Sequence, residues 1–361
     1  MIKKSPGTKT IICIGTGGVG KTTLAASMAV GWANEGLKVL VLTIDPSQRL
    51  AQTLGIRTDG ELHKVQLDAS SSSTQGELWS CVINHKKAFE TFIRTAAQKS
   101  KNASATAGTS EPELEKLLNN RLYQQLSGKL SGSQEFTSLI TLYQHVSSQK
   151  FDLVILDTPP SQHTWNFLKA PEKIALLFNE GVTQWFRDIS SHQVGFLQKM
   201  MNIGATQVLK ILETLTGSEF MKELSAFFKA IQNWQSPLEN YVMNCHRLLT
   251  SPETEFILVT TLDPSRLNEA YKLSREIKIQ GYQLTTVVVN RVPNWLSVKF
   301  STDSQRLNEL ISYYRNLEQN LQKHLTQFKT QLKVYKCFDL RQNSEDVSSL
   351  QKNFDQIQLV E

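Results

Sequence analysis

A short apolar run, Ile11-Ile12-Cys13-Ile14, breaks into Gly15-Thr16-Gly17-Gly18-Val19-Gly20 and goes on directly as Lys21-Thr22-Thr23. Few folds accommodate this order: a buried strand ends in a glycine-rich turn, and a helix begins at once. The string matches G-x-x-x-x-G-K-[ST] from Gly15 through Thr22, in the strand-then-helix context that a phosphate cradle needs. Glycines let backbone N–H groups approach phosphate oxygens that a Cβ would obstruct. Lys21 brings a point charge to the β- and γ-phosphates, and Thr22 brings a hydroxyl to Mg²⁺. The new helix adds the positive end of its dipole. Gly17, Gly18, Val19, Gly20, Lys21, Thr22 and Thr23 are therefore the candidate nucleotide-binding residues, with Lys21 also counted as catalytic.

The helix carries apolar residues at Leu24, Met28 and Trp32 and meets a stop at Gly36. The run from Lys38 to Asp45 is near-continuously apolar, as in a parallel strand covered on both faces. Ligands of such sheets bind at the carboxyl ends of strands, so Asp45 is placed to orient or deprotonate an attacking water. An Asx-turn or helix cap is the structural alternative for Asp45. A second apolar strand, from Phe151, ends at Asp157-Thr158-Pro159-Pro160. Paired with the cradle, Asp157 reads as the carboxylate that holds Mg²⁺, through a water because the ion keeps much of its hydration shell.

Composition narrows the function. The 361 residues carry a net charge of +6, spread along the chain rather than gathered into basic blocks with interleaved aromatics. Nucleic acid is not an expected partner. The four cysteines, Cys13, Cys81, Cys245 and Cys337, form no C-x-x-C pair; neither a metal site nor a disulfide framework follows. No stretch has the length of a signal peptide or a membrane span, and a cytoplasmic location is expected.

Further strands are expected at 78–83, 256–260, 285–290 and 333–337, with helices from about 86, over 268–279 and over 302–328. The small, polar segment 96–111 reads as a loop. Residues 172–255 show helical periodicity, as in Phe196, Met200 and Ile203 and again in Phe220, Leu224, Phe227 and Ile231. The expected fold class is α/β: a doubly wound, mostly parallel sheet of the P-loop NTPase type, built from 1–171 and 256–361, with a helical insertion at 172–255.

These segments together resemble the branch of P-loop ATPases that contains the arsenite-pump ATPase, the tail-anchored-protein targeting ATPase and their bacterial relatives. The resemblance rests on 17–23, Thr43-Ile44-Asp45-Pro46 with Arg49-Leu50, Asn120-Arg121 followed by 130–135, Asp157–Pro160 with Phe167-Leu168 and Ala170-Pro171, and Val287-Val288-Val289-Asn290. The segments 130–135 and 157–171 look most like the bacterial members, some of which pair non-identical subunits. The resemblance implies an ATP hydrolase using ATP and Mg²⁺. It makes Asp45 the switch I aspartate that activates water, Asp157 to His163 switch II, and Asn290 the reader of the adenine edge. Relatives tend to have proline where Phe338 stands; an aromatic there either stacks on adenine or packs.

Departures from the family pattern carry as much information. The family's second lysine, which crosses a dimer interface to the partner's phosphates, is replaced by Thr16. A neutral hydroxyl cannot serve as that clamp. Slow hydrolysis by this chain alone, a cation from a different subunit, or compensation by Arg49 are the alternatives. The zinc-binding C-x-x-C and the arsenite-binding cysteines are also missing. The expected working unit is a dimer, as a heterodimer with a related chain or a homodimer. A non-catalytic ATP-binding regulatory subunit is the other reading of Thr16. In the targeting ATPase the helical insertion holds a client's hydrophobic segment, and Met200, Met201, Met221 and Met243 suit such a surface. Apolar stripes at this spacing more commonly face a core, so both a core and a groove, with its hydrophobic client or membrane-associated partner, stay open for 172–255.

Overall fold

The structure, a computed structural model, describes residues 2–44, 49–67, 76–103, 115, 118–119, 133–159, 166–170, 235–294, 304–329, 332–339 and 346–360. Among the described residues nine strands form one sheet: β1 (Thr10–Gly15), β2 (Lys38–Thr43), β3 (His63–Val65), β4 (Glu77–Val82), β5 (Leu153–Asp157), β6 (Thr254–Thr260), β7 (Leu284–Pro293), β8 (Lys333–Asp339) and β9 (Ile357–Leu359). Their order is β3-β4-β2-β5-β1-β6-β7-β8-β9. All pairings are parallel except β3 with β4 and β8 with β9 at the two edges. This is the doubly wound α/β sheet that the apolar runs predict. β1 lies between β5 and β6, so the chain leaves it at the point where the strand order reverses, which is where such sheets bind ligands.

The described helices are α1 (Lys21–Asn34), α2 (Arg49–Leu54), α3 (His85–Ala103), α4 (Ser133–Ser147), α5 (Gln235–Thr250), α6 (Pro264–Ile279), α7 (Gln305–Lys329) and α8 (Val347–Asp355). α1 is apolar nearly all round, because one side covers the sheet and another meets α8. A Cβ on Gly31 would stand 2.3 Å from the Phe354 ring, so only glycine admits that ring. Trp32 meets the same ring edge-on at 6.1 Å. α8 and β9 had no counterpart among the expected elements. α8 starts at a capping box, in which Asp346 accepts from the Ser349 amide at 2.8 Å.

The chain divides into two compact units, one of residues 1–84, 141–166 and 248–361, the other of 85–140 and 167–247. The first contains the whole sheet. The second has its own aromatic core: Phe92 packs edge-on against Phe136 at 5.3 Å and against Tyr241 at 5.2 Å. Residues 96–103, expected as loop, are helical here as the last turns of α3. Ala96 and Ala97 are buried, and alanine costs least of all residues to hold in a helix that Phe92 and Ile93 already anchor. Most of 172–255 lies outside the described residues, including Met200, Met201 and Met221; Met243 of α5 is exposed.

Candidate active site

The glycine turn is shaped by close approaches as well as by backbone freedom. A Cβ on Gly15 would stand 2.2 Å from the Val259 carbonyl oxygen of β6, so the strand must end in glycine to pair there. Gly18 and Gly20 have φ of 75° and 85°, in the left-handed region that favours glycine. Gly20 is the N-cap of α1 and offers no capping side chain. No acidic residue lies in the first turn, so the helix's leading N–H groups and dipole end are left to an anionic ligand.

Lys21 is only 7% exposed, and its ammonium curls back onto the turn, donating to the carbonyls of Gly15 at 3.1 Å and Thr16 at 2.9 Å. A buried cation needs such partners, and phosphate oxygens are stronger ones of the same kind. The Thr22 hydroxyl donates to Oδ2 of Asp157 at 2.6 Å. Hydroxyl and carboxylate oxygens are the hard donors that Mg²⁺ selects. The cradle and this pair therefore fit ATP with Mg²⁺: the turn and Lys21 for the phosphates, Thr22 and Asp157 for the metal. Thr23 follows half-buried on the same turn of helix.

Two threonines within the matching segments, neither given a contact of its own by the sequence, complete the arrangement. Thr43 ends β2 as the register partner of Asp157, and its hydroxyl donates to the same Oδ2 at 3.1 Å. Thr158 ties the end of β5 to β1 by donating its hydroxyl to the Cys13 carbonyl at 2.7 Å. Both stand at strand ends. Cys13 is fully buried; burial, and after it the Asp157 carboxylate, push its thiol pKa far up, against the Lys21 ammonium. It is a core residue. All four cysteines are buried and none is in a disulfide, as small hydrophobes are.

Asn290, two strands from β1, reaches back over the sheet's carboxyl edge to donate its amide to the Val19 carbonyl at 2.8 Å. It is thereby joined to the cradle. Phe338 is half-buried at the end of β8, opposite Val292. Thr16 is fully buried, and its hydroxyl has no hydrogen-bond partner among the described residues. Asp45 and the residues through Gln48, the side chain of Arg49, and 160–163 of the expected switch II lie outside the described residues. Among the described residues no group of three or more His, Cys, Asp and Glu could hold a metal, and no helix is long and apolar enough to cross a membrane.

A family described as anion-transporting ATPase matches residues 8–331, from just before β1 to just before β8. The chain is similar to ATPase GET3 of Candida glabrata, 26% identical over 297 residues that cover 79% of this chain and 72% of that one. It is 23% identical over 294 residues to ATPase asna-1 of Caenorhabditis elegans, covering 79% and 74%. With ATPase GET3 of Kluyveromyces lactis the figures are 25% over 289 residues, covering 77% and 70%.

Proposed function

This chain belongs to the anion-transporting ATPase family, and from that premise we propose that it is a Mg²⁺-dependent ATPase whose ATP binding and hydrolysis switch the shape of a dimer. The observation that carries the reading is the convergence of Lys21, Thr22 and Asp157 on one glycine turn at the sheet's switch point. Thr22 and Asp157 would hold the metal, which when bound draws charge from the phosphate oxygens. Lys21 exchanges its two carbonyl partners for phosphate. Asp45 orients the attacking water. The Asn290 amide keeps one N–H on Val19 and offers its oxygen and second N–H to the adenine edge, with Phe338 beside the base.

The dimer is a heterodimer in this reading. Position 16 contributes a buried neutral hydroxyl, which supplies no cation to a neighbouring site. A related subunit would bring the missing charge, a clamp of a kind that in trans is worth orders of magnitude in rate. The test is ATP hydrolysis by the purified chain over a wide concentration range, with Asp45→Asn as blank. A rate at the blank throughout, with ATP still bound, supports the need for a second subunit. Specific activity that climbs with concentration overturns the heterodimer, because self-association then builds the site. ATP affinity equal in Lys21→Ala and the native chain overturns the ATPase site itself.

A further inference from the structure

We infer that Arg291 is a phosphate-binding residue of the nucleotide site, its guanidinium serving the α- or β-phosphate; the inference rests on the ATP-site reading above. Arg291 has φ of 57°, one of two non-glycine residues with positive φ among those described. Left-handed backbone is unfavourable for a residue with a Cβ and persists where the surroundings enforce it, commonly at functional sites. The cause here is local: β7 and β8 lose register between Val289 and Val292, a bulge of the sort that re-aims a side chain at a site's rim.

The bulge aims Arg291 at the cradle. Its Nε lies 3.9 Å from the point where a Cβ on Gly20 would stand, beside the N-cap of α1. The side chain is exposed and makes no ion pair among the described residues. A planar guanidinium held next to an uncapped helix N-terminus suits bidentate contact with phosphate. Arg291 directly follows Asn290, the proposed adenine reader, so it stands towards the base end of the triphosphate rather than the γ-phosphate. It supports ground-state binding and leaves the need for a second subunit's cation intact. The competing account is that the bulge exists only to seat the Asn290 amide on Val19. Glycine at 291 would then serve as well or better.

Calorimetric binding of ATP, ADP, adenosine and, in competition with ADP, inorganic tripolyphosphate separates the two. Arg291→Gly and Arg291→Gln should bind ATP and ADP about tenfold more weakly, by equal factors, and lose tripolyphosphate in step. Adenosine binding should not change, and Arg291→Lys should keep part of the affinity. The thermal midpoint of ligand-free Arg291→Gly should not fall, since glycine relieves the positive φ. Unchanged ATP and ADP affinity in Arg291→Gly and Arg291→Gln, while Lys21→Ala weakens both, overturns the inference alone. A loss seen with adenosine but not tripolyphosphate also overturns it, placing the side chain on the base. A native chain that binds no ATP overturns it together with the site reading.

Discussion

Thr43 and Asp157 stand side by side at the carboxyl ends of neighbouring strands, and the Thr43 hydroxyl donates to Oδ2 of Asp157 at 3.1 Å. The strand that leads into 45–48 is thus bonded directly to the carboxylate proposed for the metal. Thr43→Val keeps the shape and removes the donor. A hydrogen bond to a charged group contributes about 1.5–3 kcal/mol, so the variant should lose stability of that order in denaturant unfolding. It should also need more Mg²⁺ for half-maximal ATP binding. Thr43→Ser should retain both properties; equal loss in Val and Ser variants would show that packing, not the hydroxyl, matters.

Two glycines of the turn should differ sharply. In Gly15→Ala the new Cβ meets backbone of β6 at 2.2 Å, and one strand of the central pair must move. The cost should exceed about 3 kcal/mol. A Cβ on Gly18 would meet no atom within 4 Å beyond its own chain neighbours, so Gly18→Ala pays only for its positive φ, about 1–2 kcal/mol. Urea midpoints of the two variants check the ranking.

Packing of α8 on α1 gives a third outcome. Gly31→Ala drives a methyl into the buried Phe354 ring, for an overpacking cost of about 1–3 kcal/mol. Adding Phe354→Leu should return part of it. Two independent, additive losses would contradict direct contact between the positions.

Acid should act in two stages. Burial holds the His85 and His145 pKa values below their ordinary 6.5, so the folded chain binds fewer protons than the unfolded one. The stability they contribute is present above pH 6.5 and is lost as pH falls through it. Glu77 is held at about 2, chiefly by Lys64, then by the Trp79 N–H and Lys38. Its contribution is present above its ordinary 4.5 and is lost as pH falls from there towards 2. Thermal midpoints should therefore drop first below pH 6.5, and His85→Gln with His145→Gln should flatten that first stage only.

What the sequence determined by itself is local. Strand, glycine turn, Lys21 and Thr22 are contiguous, and an apolar strand ending in Asp157 announces its own carboxyl end, so short-range patterning was enough for the turn that opens α1, for a carboxylate at a strand end and for the parallel α/β class. Only the tertiary structure decided which separated residues meet. Asn290 reaches Val19 across 271 positions of chain, Arg291 comes beside Gly20, Thr43 shares Oδ2 of Asp157 with Thr22, and Phe354 fills the space that Gly31 leaves. Each contact depends on strand order and register, and a bulge of one position in β7 was enough to turn Arg291. The last turns of α3 were missed for a related reason: a small, polar segment has no apolar signal of its own, and its helix is carried by the buried residues that precede it. Periodicity reports the face a residue presents, whereas the partner on that face is chosen by the packing of elements distant in sequence.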